Sequence, residues 1–487
     1  MSEVPERTAS GSKKPEERAS KRARIEEPAG EGRSSTAPAG VSDPSHEDER
    51  NQDGPNQRNL NRNTSQDLRK RLTHIEEGQT VLLELPSGNI KPVTMLAGAS
   101  INLGKFGSFE ADDLIGLPYG LTYEIDDHNE NDTGGTSKGK GKGKARSGRL
   151  RAVVNATLSE LQETDATNEF INDENASQAL NHLDIRALKE AGKTGEDIIK
   201  IVTESNSSFS QKTVYAQDKF VKRKAQKHLK LFTPLTPSAH NVTTWNFLKN
   251  ADRVRNLRAD SLAQMLSMAE VRAGGKYLVV DALGGLLTGA IIERVGADGR
   301  VILLNDNDSP PTLELMTTLN LRQATVDNVL RSLNWAQAEE SWSLPELPTE
   351  IETLQRDGQP VNTREKSKIK RRRATFAMIA ETRREFFEGD FDALLIASDY
   401  EPFSIFSRLV PRLAGSASIV VHSCFLQPLM DAHARMRLKP EYLNISVSEP
   451  WLRRYQVYPG RMHPEMNTSA TGGYLLHAIR VLPEEDP

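Results

Sequence analysis

Residues 276–305 read KYLVVDALGGLLTGAIIERVGADGRVILLN, and this stretch decides the fold class. A short apolar run ends at Asp281, a loop with two glycines follows, and the apolar residues of Leu286–Val295 have helical spacing. A turn then leads into a second apolar run, Val301–Leu304. Strand, glycine loop, helix and strand within about 30 residues are typical of the opening unit of a doubly wound α/β sheet. We therefore predict a Rossmann-like fold.

The glycine loop lacks residues that a bound cofactor would need. S-adenosylmethionine enzymes of this architecture place glycines two, four and six residues after the acidic residue that ends the first strand, because the backbone there touches the ligand. Counting from Asp281, those positions hold Leu283, Gly285 and Leu287. Two leucine side chains would lie where the ligand lies. We predict a methyltransferase-like domain that binds no cofactor.

The second strand gives a related signal. It ends in Asn305, where a carboxylate would usually bind the ribose hydroxyls, although the neighbouring Asp306 could partly substitute. Glycine patterns alone are weak evidence. An ordinary Gly-Gly turn in a domain that never bound a nucleotide therefore stays open as an alternative.

Composition limits the remaining possibilities. The 487 residues suffice for two or three domains, the mean hydropathy is -0.56 and the formal net charge is -4. A single cysteine, Cys424, excludes an intrachain disulfide and a multi-cysteine zinc site, and it favours a reducing compartment. The histidines lack metal-ligand spacing, so we predict no metal site. No apolar run approaches the roughly 20 residues that cross a bilayer.

Residues 1–67 are predicted to be a disordered tail. They are rich in Ser, Pro, Glu, Arg and Asn and contain few large apolar residues to bury. Lys13-Lys14 and the cluster Lys21-Arg22-Ala23-Arg24 have the spacing of a bipartite nuclear import signal, which predicts a nuclear location. The alternative is a run of solvated charges.

Residues 68–178 are predicted to form a small antiparallel β-barrel or sheet. Short β-type runs with close turns and no helical periodicity favour this class. The predicted strands are Thr80–Leu85, Lys91–Met95, Ser108–Phe109, Tyr119–Ile125 and Arg151–Leu158. Between the last two, residues 138–149 read KGKGKGKARSGR, a basic loop insertion that could touch nucleic-acid phosphates or have no function.

Residues 179–258 are predicted to be a helical connector that is strongly basic. Lys212–Lys230 contains six lysines and one arginine against one aspartate. We predict one helix whose apolar side carries Val221, Ala225, Leu229 and Phe232 and whose opposite side carries Lys219, Lys222, Arg223 and Lys230. Further cations follow at Lys249, Arg253, Arg255 and Arg258. Such a face favours RNA binding, with a merely solvated face as the alternative.

Residues 259–487 are predicted to form the Rossmann-like domain. Residues 335–370 are predicted to be a loop insertion with a basic end, followed by a helix over Ala374–Phe387. A buried strand, Phe391–Ser398, leads into Asp399-Tyr400-Glu401-Pro402, where an active methyltransferase would place catalytic groups. The predicted closing antiparallel pair is Leu443–Val447 with Tyr474–Val481. Seven strands fit a methyltransferase layout better than a dehydrogenase layout.

Seven motifs, in order, resemble the non-catalytic subunit of the eukaryotic tRNA (adenine-N1)-methyltransferase. The resemblance spans about Leu72 to Val481 without the two insertions. The motifs are LGKFGSF at 103–109, IGLPYG at 115–120, ESNSSF at 204–209 followed by Lys212-Thr213, AQDKF at 216–220, RADSLAQML at 258–266, EPWLRRYQV at 449–457 and GGYLL at 472–476.

The resemblance implies an N-terminal β-barrel, a C-terminal Rossmann-like domain and a heterotetramer of two such chains with two catalytic subunits. The catalytic subunits would bind S-adenosylmethionine and methylate N1 of an adenosine in the tRNA T-loop, while this chain supplies RNA-binding surface and no catalytic residue. The implied RNA contacts fall on Asn168–Gln178, Lys219–His228, Lys249–Asn256, Arg371 and Arg437–Leu443. From these segments and the basic helix, the predicted RNA-binding residues are Ser177, Gln178, Lys212, Lys219, Lys222, Arg223, Lys224, Lys227, His228, Lys249, Arg253, Arg255, Asn256, Arg371, Arg437 and Lys439.

Two further functions stay open. A self-sufficient S-adenosylmethionine-dependent RNA methyltransferase with a variant cofactor loop would methylate tRNA without a partner. A pure scaffold would leave the tRNA affinity of the complex unchanged when the cations of the basic helix are removed.

Overall fold

A computed structural model describes residues 73–126, 148–153, 180–191, 193–307, 311–345, 355–356, 359–360, 363–458, 461–467 and 471–482. The predicted tail, the Gly-Lys loop up to residue 147 and the segment 154–179 lie outside these ranges. Among the helices that are described, none is at once long and apolar enough to cross a membrane.

The N-terminal part is built from antiparallel strands. Its strands are β1 (Thr80–Glu84), β2 (Ile90–Thr94), β3 (Ser100–Asn102), β4 (Ser108–Glu110), β5 (Tyr123–Asp126) and β6 (Arg149–Ala152), with the short helix α1 (Ala111–Leu114) after β4. β1, β2, β5 and β6 belong to one five-stranded sheet, and β3 pairs with β4. The predicted strands between residues 80 and 125 are confirmed with shifted ends, whereas the predicted strand Arg151–Leu158 is a strand only to Ala152 and its residues 154–158 lie outside the described residues. The structure shows antiparallel sheets here, and closure into a barrel stays a prediction.

The fifth strand of that sheet comes from much later in the chain. β7 (Leu231–Leu235) lies between β1 and β5 in the order β2-β1-β7-β5-β6. The predicted continuation of the basic helix through Lys230 and Phe232 is therefore wrong, because the helix ends at His228. Phe232 is buried in the N-terminal core, where its ring stacks on Phe109 with centroids 4.8 Å apart.

Three helices lie between β6 and β7 of the N-terminal sheet. They are α2 (His182–Glu190), α3 (Gly195–Glu204) and α4 (Val214–His228). Thr194 begins α3 with a capping box, in which its hydroxyl accepts from the backbone N–H of Asp197 and the Asp197 carboxylate accepts from the N–H of Thr194. α3 and α4 share a small core that contains Ile199 and Val221. This core holds α4 by one side and leaves its other side in solvent.

The C-terminal sheet has seven strands in the order β10-β9-β8-β13-β14-β18-β15. Its members are β8 (Lys276–Asp281), β9 (Arg300–Asn305), β10 (Leu330–Asn334), β13 (Phe391–Ala397), β14 (Leu413–Ser423), β15 (Tyr442–Ser448) and β18 (Tyr474–Arg480). The first five in spatial order are parallel, and β18 is antiparallel to both of its neighbours. The predicted seven strands and closing antiparallel pair are confirmed. The strand order reverses at β8, so ligands of this fold bind at the carboxyl ends of β8, β9 and β13.

Helices and small hairpins complete this part. The helices are α5 (Ala239–Lys249), α6 (Ala259–Met268), α7 (Leu286–Val295), α8 (Glu314–Thr317), α9 (Gln323–Val329), α10 (Thr363–Glu388), α11 (Pro402–Leu409) and α12 (Leu426–Met436). The hairpins pair β11 (Gln355–Arg356) with β12 (Gln359–Pro360) and β16 (Tyr455–Tyr458) with β17 (Arg461–Pro464). The predicted loop at 335–370 extends too far, because its basic end is already helical from Thr363.

Candidate functional site

The end of β8 uses its own carboxylate to hold the glycine loop. One carboxylate oxygen of Asp281 accepts from the backbone N–H of Leu283 at 2.7 Å, and the other accepts from the N–H and the hydroxyl of Thr288, both at 2.8 Å. Burial raises the pKa of Asp281, and these hydrogen bonds oppose the rise. The carboxylate is thus committed to the start of α7 and is not presented to a ligand.

Leucine side chains pack around the glycine loop. Two of them come from a later segment of the chain and were not predicted. Leu283 and Leu287 are buried as members of the main hydrophobic core. The turn itself is covered by Leu313 and Leu315, from the segment that follows β9. A Cβ atom on Gly285 would lie 2.9 Å from Cδ2 of Leu313, and the N–H of Leu315 donates to the carbonyl of Gly284 at 2.9 Å. The space above the turn is therefore occupied by protein.

The side chains predicted to bind a ribose are also hydrogen-bonded within the protein. The side-chain oxygen of Asn305 accepts from the N–H of Asn307 at 3.0 Å, and its amide donates to the carbonyl of Leu333 at 3.3 Å. Asp306 is hydrogen-bonded to the hydroxyl of Tyr400. Burial, and to a lesser extent this carboxylate, raises the pKa of Tyr400. The two side chains predicted to reach a ribose therefore bond within the protein.

Arg255 crosses the crevice from the other side. Its Nε donates to the carbonyl of Ala282 at 3.4 Å, and its guanidinium forms an ion pair with Asp399. Arg255 and Asn256 both have left-handed backbones, with φ of 49° and 55°. Such a conformation costs a residue other than glycine roughly 1–2 kcal/mol. The surrounding contacts must offset that cost. Arg255, predicted to bind RNA, is engaged in this structure with the ends of β8 and β13.

The helix α4 carries the clearest cationic surface. Lys219, Arg223 and Lys227 are exposed and lie four residues apart, so they line up along one side of the helix. Val221 and Ala225 are buried on the opposite side, because two residues correspond to a rotation of about 200°. The predicted division of this helix is confirmed for Lys219, Arg223, Val221 and Ala225, and Lys227 joins the exposed side. We call Lys219, Arg223 and Lys227 the cation stripe.

Other predicted members of this face are less available. Lys222 forms an ion pair with Asp218 at 2.8 Å, and Lys212 donates to the hydroxyl of Ser208 at 2.9 Å. Lys224 lies 5.0 Å from the ring centre of Phe220; burial first, then the neighbouring cations, lowers its pKa. His228 is only 6% exposed. Its ring packs inside the protein, and its role as an RNA contact stays a prediction.

The second basic group surrounds the turn between α5 and α6. Lys249 is exposed and lies 5.5 Å from the ring of Trp245, and Arg253 pairs with Glu314 at 2.8 Å. Arg258 was predicted to extend this group, but it is 5% exposed and bonds to Asp260 and to the carbonyl of Pro450. That part of the prediction is wrong, because Arg258 is a buried structural cation.

The remaining predicted contacts are scattered. Arg371 is exposed on α10, and Arg437 and Lys439 are exposed just after α12. Lys439 is paired with Glu441 at 3.2 Å. Ser177 and Gln178 lie outside the described residues. The structure therefore places the cation stripe on one helix and the residues 249–256 at the closed crevice.

Known proteins resemble this chain over most of its length. A model of the Gcd10p family matches residues 74–370. The chain belongs to the Gcd10p family. The similarity to individual relatives covers most of both sequences.

Three relatives show the extent of that similarity. Proteins named tRNA (adenine(58)-N(1))-methyltransferase non-catalytic subunit from Schizosaccharomyces pombe, Kluyveromyces lactis and Mus musculus are 28%, 30% and 28% identical to the chain. The matches cover 84%, 85% and 77% of this chain and 92%, 89% and 82% of those proteins. Among solved structures, the tRNA (m1A58) methyltransferase TrmI from Aquifex aeolicus is 11% identical, with a TM-score of 0.40, 84% of this chain covered and 100% of that one.

Proposed function

We propose that this chain is the non-catalytic, tRNA-binding subunit of a tRNA (adenine(58)-N1)-methyltransferase. The observation that carries the proposal is the crevice at β8. Leu313, Leu315 and Arg255 fill it in a chain whose relatives are named non-catalytic subunits. The catalytic subunit then supplies the S-adenosylmethionine site, and the active enzyme contains two chains of each kind.

The cation stripe supports the tRNA-binding role. The three exposed cations lie on one side of α4, and the buried residues on the opposite side hold the helix in place. Each contact with a phosphate releases counterions, so binding by such a surface weakens as salt rises. Ion-paired Lys222 and buried His228 contribute less than the stripe. The other predicted RNA contacts, Ser177 and Gln178 included, belong to the same proposal.

Reconstitution tests this function. The chain, the catalytic subunit and the two together are incubated with S-adenosylmethionine and tRNA, and methylation of adenosine 58 is measured. We expect methylation only by the pair, and a matched pair with an inactivated catalytic subunit should give none. Methylation by this chain alone would establish the self-sufficient enzyme instead. Native mass measurement of the pair tests the two-plus-two composition.

We infer a matching organisation for the rest of the chain. Residues 68–178 together with β7 form a barrel-like domain around Phe109 and Phe232, residues 179–258 connect it, and residues 259–487 form the methyltransferase-like domain. The tail at 1–67 directs the protein to the nucleus. Replacing Lys13, Lys14, Lys21, Arg22 and Arg24 with alanine in a fluorescent fusion should leave the protein outside the nucleus.

A further inference from the structure

The turn from Lys249 to Leu257 is bound to the closed crevice on two sides. Val254 and Leu257 are fully buried and fix its depth. Successive side chains of the segment that covers the glycine turn point to opposite sides. Leu313 and Leu315 face the glycines, whereas Glu314 is exposed and pairs with Arg253. The outer side of the turn is thus tied to the segment that closes the crevice.

Arg255 ties the inner side. Its guanidinium bonds to the carbonyl of Ala282 at the end of β8 and to the carboxylate of Asp399 at the end of β13. Two strands that would flank a bound cofactor are thereby joined through one side chain. Arg255 and Asn256 both have left-handed backbones at the point where this side chain enters the crevice.

We propose that Arg255 is a positioning residue for tRNA binding. Its side chain uses the former cofactor crevice as a socket and thereby fixes the turn that presents Lys249 to the RNA. This inference rests on the proposed function. It assigns the crevice a use in RNA binding, and it gives Arg255 a different role from the direct phosphate contact predicted from the sequence.

The two roles predict opposite effects of Asp399. If Arg255 contacted a phosphate directly, the carboxylate of Asp399 would compete with the RNA, and Asp399→Asn would leave tRNA binding unchanged or tighten it. If Arg255 positions the turn, the same substitution removes its partner and weakens binding. Exchanging the two charges, Arg255→Asp with Asp399→Arg, separates the roles further, since aspartate tolerates the left-handed conformation.

The experiment measures tRNA affinity at several salt concentrations with the complete two-subunit complex. We expect Arg255→Met and Asp399→Asn each to weaken binding about three- to tenfold, as for a broken pairwise interaction. The charge exchange should restore affinity to within about twofold of the unchanged complex. The matched control exchanges Arg384 and Glu388, an exposed pair on α10, and should change nothing.

Two results would overturn the proposal. One is unchanged or tighter binding by Asp399→Asn. The other is a charge exchange that binds as weakly as Arg255→Met, since position 255 would then require a positive charge.

Hydrogen exchange at residues 249–257 provides a readout that needs no RNA. We expect faster exchange in Arg255→Met and in Asp399→Asn, and slow exchange again after the charges are exchanged. If the unchanged complex shows no salt-dependent tRNA binding, the proposed function fails and the RNA half of this inference with it. If hydrogen exchange is unchanged in both single variants, Arg255 does not fix the turn, and the proposal is overturned whatever the RNA affinity.

Discussion

Gly285 and Leu313 lie so close that a methyl group on Gly285 would stand 2.9 Å from Cδ2 of the leucine. Gly285 also has a φ of 82°. Its lack of a side chain therefore admits a leucine of the same protein, in a fold where the equivalent space admits a cofactor.

Substituting this glycine should be costly for two separable reasons. Gly285→Ala is expected to destabilise the fold by about 2–4 kcal/mol, from the left-handed backbone and the collision with Leu313. Gly116→Ala is the matched control, because Gly116 has a φ of 86° in the type II turn that follows α1, but nothing lies within 4 Å of the added carbon. It should cost only about 1–2 kcal/mol. Equal losses in urea unfolding would show that Leu313 moves aside freely.

Removing the cation stripe should change the salt dependence of tRNA binding. Alanine at Lys219, Arg223 and Lys227 should lower the slope of log affinity against log salt by about 1 for each phosphate that the variant no longer binds. A complex with alanine at Lys105, Arg384 and Arg408, three other exposed cations, loses the same charge and should keep its slope. Equal slopes for both triple variants would identify the stripe as a solvated surface.

Acid should destabilise the C-terminal domain through His422. This ring is 1% exposed, and burial lowers its pKa to about 4. The unfolded chain takes up a proton near pH 6.5, whereas the folded chain does not until near pH 4. Folding stability is therefore lost as pH falls between these values, by about 3 kcal/mol in total.

The variant His422→Gln tests this prediction, because glutamine keeps a donor for the carbonyl of Gly472 and does not titrate. The free energy of unfolding is measured for both proteins from pH 7 to pH 4. The protein with His422 should lose about 3 kcal/mol relative to the variant over that range. Parallel curves would contradict a buried neutral imidazole.

The stacked rings of Phe109 and Phe232 should dominate the stability of the N-terminal sheet. Phe232→Ala is expected to cost about 3–5 kcal/mol, since it leaves a cavity in the core. Thr233→Ala, one residue along β7, loses a hydroxyl hydrogen bond to Thr122 at 2.9 Å and should cost about 1 kcal/mol. A double variant with Phe109→Ala should lose less than the sum of the two single losses, because the rings are in contact.

Local sequence patterns were sufficient for the periodic elements. The apolar runs of β8 and β9 are short and lie next to glycine turns, which indicates buried strands, whereas α7 has helical spacing over ten residues. The buried and exposed sides of α4 followed from the same rule. The end of α4 did not, since Phe232 continues the helical spacing while its burial belongs to a strand.

Contacts between residues that are far apart in the sequence could not be predicted. The sequence marks Leu283 and Leu287 as unusual, yet the glycine turn is covered by Leu313 and Leu315, whose spacing resembles any short amphipathic turn. Arg255 and Arg258 looked like neighbouring members of one basic surface. Only the fold shows that one pairs with Asp399 and that the other is buried against the carbonyl of Pro450.

The place of β7 in the N-terminal sheet has a consequence during synthesis on the ribosome. Leu82 of β1 pairs with Leu235, and Tyr123 of β5 pairs with Phe232. Until residue 235 has left the exit tunnel, the facing edges of β1 and β5 lack the strand that separates them. The nascent amino-terminal half must therefore wait, with two open edges, for the helix that bears the stripe to be translated, and a chaperone that masks strand edges would act in that interval.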